Sequence, residues 1–178
     1  YTKGKDKYEI SDRKFTYVYE PGQETILPRA WNSEHAATYQ SILGLQEGER
    51  PTFGQNLYFM FQHQIGTMYM RYFMWNFAGR ESDEQGADWL KPTQWFSEVP
   101  VALAENKGRN NFFMIPFVLG LIGMFYQFVK DTKNFSVIAL LFVMLGVAIV
   151  FYLNSPPTEP RERDYIYAGS YYAYAFWI

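Results

Sequence analysis

Two apolar runs and the polar link between them, residues 112–153, decide the fold: FFMIPFVLGLIGMFYQFV, then KDTKN, then FSVIALLFVMLGVAIVFYL. The first run has about eighteen residues and the second about nineteen, which is close to the length that spans a bilayer as an α-helix. Neither run has a polar face, so a buried helical hairpin in a soluble protein is the weaker alternative. The stretch predicts a transmembrane helical hairpin over 112–153 with its turn at 130–134. Gly120 and Gly123 would let a neighbouring helix approach closely.

The segment that follows, residues 154–165, reads NSPPTEPRERDY and combines three prolines with two arginines and three acids. The prolines restrict the backbone on both sides of each ring and predict a stiff loop. Arginine presents a planar fork of donors that suits phosphate and carboxylate. Two interpretations stay open: a preorganised anion site, or a rigid loop whose Arg–Glu pairs only satisfy one another. The candidate binding residues here are Arg161, Glu162, Arg163, Asp164 and Tyr165.

Residues 51–79 predict a long, aromatic, amphipathic helix. Thr52 and Gln55 match a capping box, and Gly79 is the expected stop. Polar residues recur along one stripe of this helix, namely Asn56, His63, Thr67 and Arg71, with Gln64 beside them. We expect the helix to lie in the membrane interface with the stripe toward water, because a spanning helix would bury these groups at high cost. The competing interpretation makes His63, Thr67 and Arg71 the lining of a substrate cavity.

The rest of the chain predicts smaller elements. Residues 1–50 form a polar extramembrane segment, with a β-hairpin over 7–20 and a short helix that Asn32 caps and Gly44 ends. Residues 80–111 form a polar loop whose acids lack the spacing of a calcium site. Residues 166–178 begin a further, aromatic-rich membrane helix. The fold class is therefore mainly α and integral to a membrane, and we interpret the chain as an internal piece of a larger membrane protein.

Composition excludes several function classes. The net charge of -2, with no basic run, argues against a nucleic-acid partner. The chain contains no cysteine, so it has no disulfide framework and no thiolate metal site. The two histidines do not fall at a metal-ligand spacing, and nothing in the sequence requires a metal or a cofactor.

Three blocks together resemble a known family. They are residues 52–80, TFGQNLYFMFQHQIGTMYMRYFMWNFAGR, residues 108–128, GRNNFFMIPFVLGLIGMFYQF, and residues 152–178, YLNSPPTEPRERDYIYAGSYYAYAFWI. They are similar, in this order, to blocks of a family of large bacterial membrane proteins that is grouped with a vertebrate protein O-mannosyltransferase. The last block is the most specific. The resemblance implies a GT-C-type glycosyltransferase with many membrane helices, a lipid-phosphate sugar donor and chemistry on the extracytoplasmic side.

The implied function is transfer of a hexose, most simply mannose, from a polyprenyl-phosphate carrier to Ser or Thr of an exported protein. In GT-C enzymes the catalytic acid usually precedes the region that this chain resembles, so no catalytic residue is assigned here. The implied location is the bacterial inner membrane with the active face toward the periplasm. A count of flanking Lys and Arg would instead put the side that carries Arg161 and Arg163 in the cytoplasm. The alternative function is a non-catalytic membrane scaffold that binds partner subunits.

Overall fold

The computed structural model describes residues 2–3, 7–9 and 26–178, and the fold is mainly helical. The α-helices are α1 (Ala36–Leu43), α2 (Phe53–Tyr58), α3 (Arg71–Phe77), α4 (Val101–Ala104), α5 (Ile115–Lys130), α6 (Thr132–Met144), α7 (Val147–Leu153) and α8 (Ala168–Ala175). A π-helix occupies Phe59–Met70, and 3-10 turns occupy Ser33–His35, Pro92–Gln94 and Asp164–Tyr167. The short strands are β1 (Thr2–Lys3), β2 (Tyr8–Glu9), β3 (Gly79–Arg80) and β4 (Asn110–Asn111).

The N-terminal strands β1 and β2 pair with each other in antiparallel register, Thr2 opposite Glu9 and Lys3 opposite Tyr8. The predicted hairpin over 7–20 lies outside the described residues except for its first three positions. The short helix is confirmed with both of its end signals. The Asn32 side chain accepts a hydrogen bond from the Glu34 backbone N–H at 2.9 Å, and Gly44 ends the helix at φ 66°. A left-handed residue at this place is cheapest for glycine.

The predicted long helix is also confirmed, as a continuous run of α2, the π-helix and α3. Its capping box is formed by Thr52 and Gln55: the Thr52 hydroxyl accepts from the Gln55 N–H at 3.3 Å, and the Gln55 side chain accepts from the Thr52 N–H at 2.9 Å. The helix ends at Phe77, and Gly79 follows at φ 131°. We refer to 53–77 as the long helix.

The single polar stripe predicted on the long helix does not exist as one solvated face. The π-helical middle bonds each residue to the fifth residue along, so the 3.6-residue period does not hold there. Asn56 and Gln64 are buried, and Thr67 is exposed. The Asn56 side chain accepts from the backbone N–H groups of Arg29 and Ala30 at 2.7 and 3.0 Å, so it attaches the preceding segment to the helix.

The predicted apolar hairpin is present as helices, with a shorter turn and a break. Asp131 alone links α5 to α6, because its carboxylate accepts from the Asn134 N–H at 3.2 Å and caps the second helix at once. The second arm is interrupted at residues 145–146, between α6 and α7. Thr132–Leu153 is long and apolar enough to cross a membrane, with a mean hydropathy of 2.8 and 11% burial in its most apolar window. Helix α5 is apolar but shorter than that length, so the described residues contain one candidate span.

Helix α8 packs against the hairpin and the long helix. The Tyr174 hydroxyl donates to the Phe117 carbonyl at 2.6 Å, and the Trp177 indole N–H donates to the Gln127 side chain at 2.6 Å. Gly120 and Gly123 make this approach possible, as predicted, because a Cβ at either position would collide with Tyr174 or Trp177. The aromatic side chains of this tract are therefore not a uniform interfacial belt. Those buried in the core are Tyr167, Tyr171, Tyr174 and Trp177, and those exposed are Tyr165, Tyr172 and Phe176.

The predicted polar loop between the long helix and the hairpin carries a small sheet. Gly79 pairs with Asn111 and Arg80 pairs with Asn110, so the loop begins and ends side by side. The Leu90 N–H donates to the Gly79 carbonyl at 3.0 Å, which folds residues 81–89 back over the end of the long helix. This return is what brings residues 85–91 beside the loop at 154–165.

Candidate cavity around Arg161

An open cavity of about 560 Å³ lies between the long helix, residues 85–91 and the loop at 154–165. Five of the eight predicted binding residues line it, and they come from segments that are far apart in the sequence. They are His63, Thr67, Arg71, Arg161 and Glu162. The other three, Arg163, Asp164 and Tyr165, do not line it. The structure therefore brings predicted residues of the long helix and of the loop at 154–165 together. It places Arg161 at the cavity and Arg163 outside it.

The loop at 154–165 is held along its length by side chains from three other segments. The Gln64 amide donates to the Ser155 carbonyl at 2.8 Å, and the Gln85 amide donates to the Glu159 carbonyl at 3.0 Å. The Thr158 hydroxyl and His35 Nδ1 are 2.9 Å apart. These contacts supplement the proline constraints, and they orient the loop relative to the cavity.

Glu162 is the best-connected residue of this loop. Its carboxylate accepts from the Arg71 guanidinium at 3.3 Å (Nη1 to Oε1) and 2.9 Å (Nη2 to Oε2), from the Gly86 N–H at 2.6 Å, and from the Tyr72 hydroxyl. Burial alone would raise the pKa of this carboxyl, but the hydrogen bonds from Tyr72, Gly86 and Arg71 outweigh burial and leave the pKa below its ordinary value. Glu162 is therefore ionised at neutral pH, and its acceptor positions are largely occupied.

Arg71 uses most of its donors within the protein. Besides the two bonds to Glu162, its Nε donates to the Thr67 carbonyl at 2.9 Å and its Nη1 donates to the Ala87 carbonyl at 3.0 Å. The guanidinium also lies 5.1 Å from the centre of the Trp75 ring. Arg71 thus joins the long helix to both loops, and its charge is balanced by Glu162.

The two arginines of the loop have different environments. Arg163 Nη2 lies 2.8 Å from Glu159 Oε2, so this arginine is in an ion pair inside the loop. Arg161 is exposed, and its polar contact is with the Tyr165 hydroxyl, at 3.4 Å from Nη2. Its guanidinium lies 5.8 Å from the centre of the same ring. Tyr165, which does not line the cavity, thus contacts a residue that does, and Asp164 begins the 3-10 turn Asp164–Tyr167.

Among the described residues, Arg161 is the cation of the cavity that forms no ion pair. Lys91 also lines the cavity, but its Nζ lies 2.7 Å from Asp88 Oδ2. Arg71 is paired with Glu162, and Glu159 is paired with Arg163. In the part of the chain that the structure describes, no carboxylate forms an ion pair with Arg161. The cavity can therefore accept one anionic group without displacing an internal ion pair.

His63 adds a neutral imidazole to the cavity wall. Its ring stacks on Phe59 with 5.1 Å between ring centres. Burial lowers the pKa of His63, the positive charge of Arg71 lowers it further, and the Pro157 carbonyl opposes both. The imidazole is therefore uncharged at pH 7. Thr67 is exposed, and its hydroxyl donates to the Gln62 carbonyl at 3.2 Å.

The sequence gives no signal for several residues that the structure places in this region. Tyr72 sits in an aromatic run that resembles any apolar helix face, and no local signal distinguishes it from its neighbours. The sequence of residues 85–91 predicts part of a polar loop. Their place at the cavity follows from the pairing of β3 with β4. Within the described ranges, no group of three or more His, Asp or Glu side chains is placed to hold a metal ion.

Comparison with known proteins places only limited constraints on the chain. A family model described as a family of unknown function (DUF8416) matches residues 1–61. This range is about the N-terminal third of the chain and includes the first turns of the long helix. No curated protein and no solved structure matches the chain. The matched region ends before His63 and does not include the loop at 154–165, so it bears on the N-terminal segment and not on the cavity.

Proposed function

We propose that the cavity binds the phosphate of a polyprenyl-phosphate sugar, and that the chain belongs to a multi-pass glycosyltransferase of the bacterial inner membrane. The observation that carries the proposal is Arg161, a guanidinium at an open cavity with no described carboxylate partner. The sequence resemblance supplies the reaction, namely transfer of a hexose, most simply mannose, to Ser or Thr of an exported protein.

The donor set of the cavity suits a phosphate ester. Arginine binds phosphate through two parallel N–H donors, which lysine cannot reproduce. The neutral imidazole of His63 and the hydroxyl of Thr67 lie on the same cavity wall and can complete the contacts with hydroxyl groups of a sugar. Glu162 and Arg71 contribute little free binding capacity, because they neutralise each other.

The apolar hairpin supports a lipid-linked substrate and a membrane location. Large side chains on both arms are mostly exposed, for example Ile122 at 60%, Phe125 at 69% and Leu140 at 62%. Contiguous apolar surface of this kind indicates lipid or a partner. The loop at 154–165 follows directly after α7, so Arg161 lies where a chain leaves the candidate span. A carrier with its prenyl tail in lipid would present its phosphate at this level, on the periplasmic side in our proposal.

In the proposed reaction, the acceptor hydroxyl oxygen attacks the anomeric carbon of the donor. A carboxylate supplied by a more N-terminal part of the protein takes the hydroxyl proton as general base. The bond from the anomeric carbon to the phosphate oxygen breaks, and its electron pair stays on the phosphate. Arg161 stabilises that growing negative charge, which is a role for preorganised cations at a leaving group.

A second candidate function is a non-catalytic membrane scaffold, and the ion pairs favour it. Arg71–Glu162 and Arg163–Glu159 are internal pairs that stiffen the loop without any ligand. The exposed arms of the hairpin would then bind helices of partner subunits instead of lipid. In this case Arg161 is a solvated surface residue.

Transfer assays on the purified full-length protein separate the two functions. Mannose transfer from a polyprenyl-phosphate mannose is measured for Arg161→Ala and Arg161→Lys, with the exposed Arg50→Ala as the matched control. Loss of one charge-assisted contact to the leaving phosphate should slow transfer by on the order of a hundredfold in Arg161→Ala. Arg161→Lys should retain part of the rate, because lysine keeps the positive charge but cannot donate two parallel hydrogen bonds to the phosphate. Arg163→Ala should lower the amount of folded protein more than its turnover.

The result that overturns the enzymatic proposal is near-normal transfer by the folded Arg161→Ala/Arg163→Ala double variant. Binding and transfer at wild-type levels would make the loop purely structural and favour the scaffold. A hundredfold loss in Arg50→Ala as well would show that the assay reports general damage instead of a specific site.

A further inference from the structure

Glu162 lies between the two arginines of the loop in the sequence. Its carboxylate accepts more hydrogen bonds than either arginine side chain donates. We infer that Glu162 and Tyr72 are positioning residues, which hold the peptide between Arg161 and Arg163 so that the Arg161 guanidinium stays at the cavity. The inference depends on the proposed function, because the cavity is where the donor phosphate would bind. Neither residue needs to touch the phosphate in this role.

The contacts that carry the inference come from two different segments. Arg71 and Tyr72 donate from α3, and Gly86 donates from residues 85–91. The Tyr72 hydroxyl also lies 3.4 Å from the Arg163 backbone N–H, so one phenol contacts two consecutive residues of the loop. An ionised carboxylate that accepts several short hydrogen bonds is fixed much more firmly than one solvated by water.

Glu162 is the chain neighbour of both Arg161 and Arg163. Fixing Glu162 against α3 therefore restrains the backbone from which both arginine side chains extend. Arg163 is in addition restrained by its ion pair with Glu159, at 2.8 Å. No ion pair within the described ranges restrains Arg161, and its contact with the Tyr165 hydroxyl is long at 3.4 Å. The position of Arg161 thus depends on the backbone that Glu162 holds.

Two variants remove this support without changing Arg161. Tyr72→Phe deletes one donor to Glu162 and keeps the ring in the core. Glu162→Gln keeps the size of the side chain and removes its charge. The matched controls are Tyr58→Phe and Glu105→Gln, because both side chains are exposed and form none of the described side-chain hydrogen bonds or ion pairs.

The test measures binding of farnesyl phosphate to the full chain in detergent, with inorganic phosphate as a competitor. Tyr72→Phe should weaken binding about tenfold, the loss typical of one hydrogen bond to a charged group. Glu162→Gln should weaken binding less, because it also frees the Arg71 guanidinium to pair with the anion. The controls should bind as the wild type does. Trypsin cleavage after Arg161 should be faster in both variants, because the loop leaves α3 more often. Tyr72→Phe keeps the inference testable if Glu162→Gln does not fold.

A double variant shows whether Tyr72 acts through Arg161. Arg161→Ala/Tyr72→Phe should bind no more weakly than Arg161→Ala alone, since residues that act on one contact are not additive. If Arg161→Ala weakens binding while Tyr72→Phe and Glu162→Gln bind normally, the positioning role is wrong and the proposed function stands. If trypsin cleavage is faster but affinity is unchanged, Glu162 is only structural. Normal binding by Arg161→Ala overturns the proposed function, and the positioning role with it.

Discussion

The break between α6 and α7 makes a sharp prediction about Gly146. A Cβ at this position would lie 2.5 Å from the Tyr69 hydroxyl and 2.6 Å from Ser170 Oγ. Both atoms are engaged: the Ser170 hydroxyl donates to the Phe142 carbonyl at 3.0 Å, so the Tyr69 hydroxyl donates to Ser170, at 2.6 Å. Gly146→Ala therefore forces apart a buried hydrogen-bonded pair that joins the long helix, α6 and α8.

The expected cost has two parts. Inserting a methyl group into a packed site costs about 1–3 kcal/mol. Disturbing the buried Tyr69–Ser170 hydrogen bond adds about 1 kcal/mol. We therefore expect Gly146→Ala to lower the free energy of unfolding by about 2–4 kcal/mol.

The matched control is Gly54→Ala, in the first turn of the long helix. A Cβ there meets nothing within 4 Å. Alanine is a better helix former than glycine, so this change should raise the free energy of unfolding by up to about 1 kcal/mol. The measurement is the thermal unfolding of both variants in detergent, followed by far-UV circular dichroism.

The two glycine variants should move the unfolding midpoint in opposite directions. An unfolding midpoint of Gly146→Ala that equals or exceeds that of Gly54→Ala would refute the packing of Tyr69 and Ser170 against residues 145–146.

Three further predictions follow from the same contacts. Gly123→Ala should destabilise the protein by about 1–3 kcal/mol in the same unfolding assay, because a Cβ would collide with the Trp177 backbone; an unchanged midpoint would contradict the α5–α8 packing. The pKa of Glu162 is lowered in the folded protein, so its contribution to stability is complete above its ordinary pKa of about 4.3 and is lost as pH falls through the lower folded value. Glu162→Gln should therefore reduce the loss of unfolding free energy on acidification. An unchanged loss would show that another carboxyl controls it. Single cysteines at Leu121 and Leu145 should resist a water-soluble maleimide in native membranes, since we propose that lipid covers them; ready labelling of both would place the hairpin in water.

The sequence by itself determined where several of the helices lie. The Thr52–Gln55 capping box, the Asn32 cap and the Gly44 stop are signals that act over three or four residues, so they can be recognised without the fold. The apolar runs of the hairpin and the use of Gly120 and Gly123 for close packing were likewise predictable, because length and residue size carry that information. The prolines and arginines of residues 154–165 also indicated the loop that lines the cavity.

Only the tertiary structure decided which charges are paired. Arg71 and Glu162 are ninety-one positions apart, and their bond depends on how residues 81–89 and the loop at 154–165 fold back onto α3. The π-helical turns changed the period on which the polar stripe was based. Contacts with residues 29–30 and with the loop at 154–165 made Asn56 and Gln64 buried hydrogen-bonding residues. Arg161 and Arg163 look equivalent in the sequence, yet one faces an open cavity and the other pairs with Glu159. An ion pair forms between groups that the packed backbone brings within a few ångströms, and no local pattern records that distance.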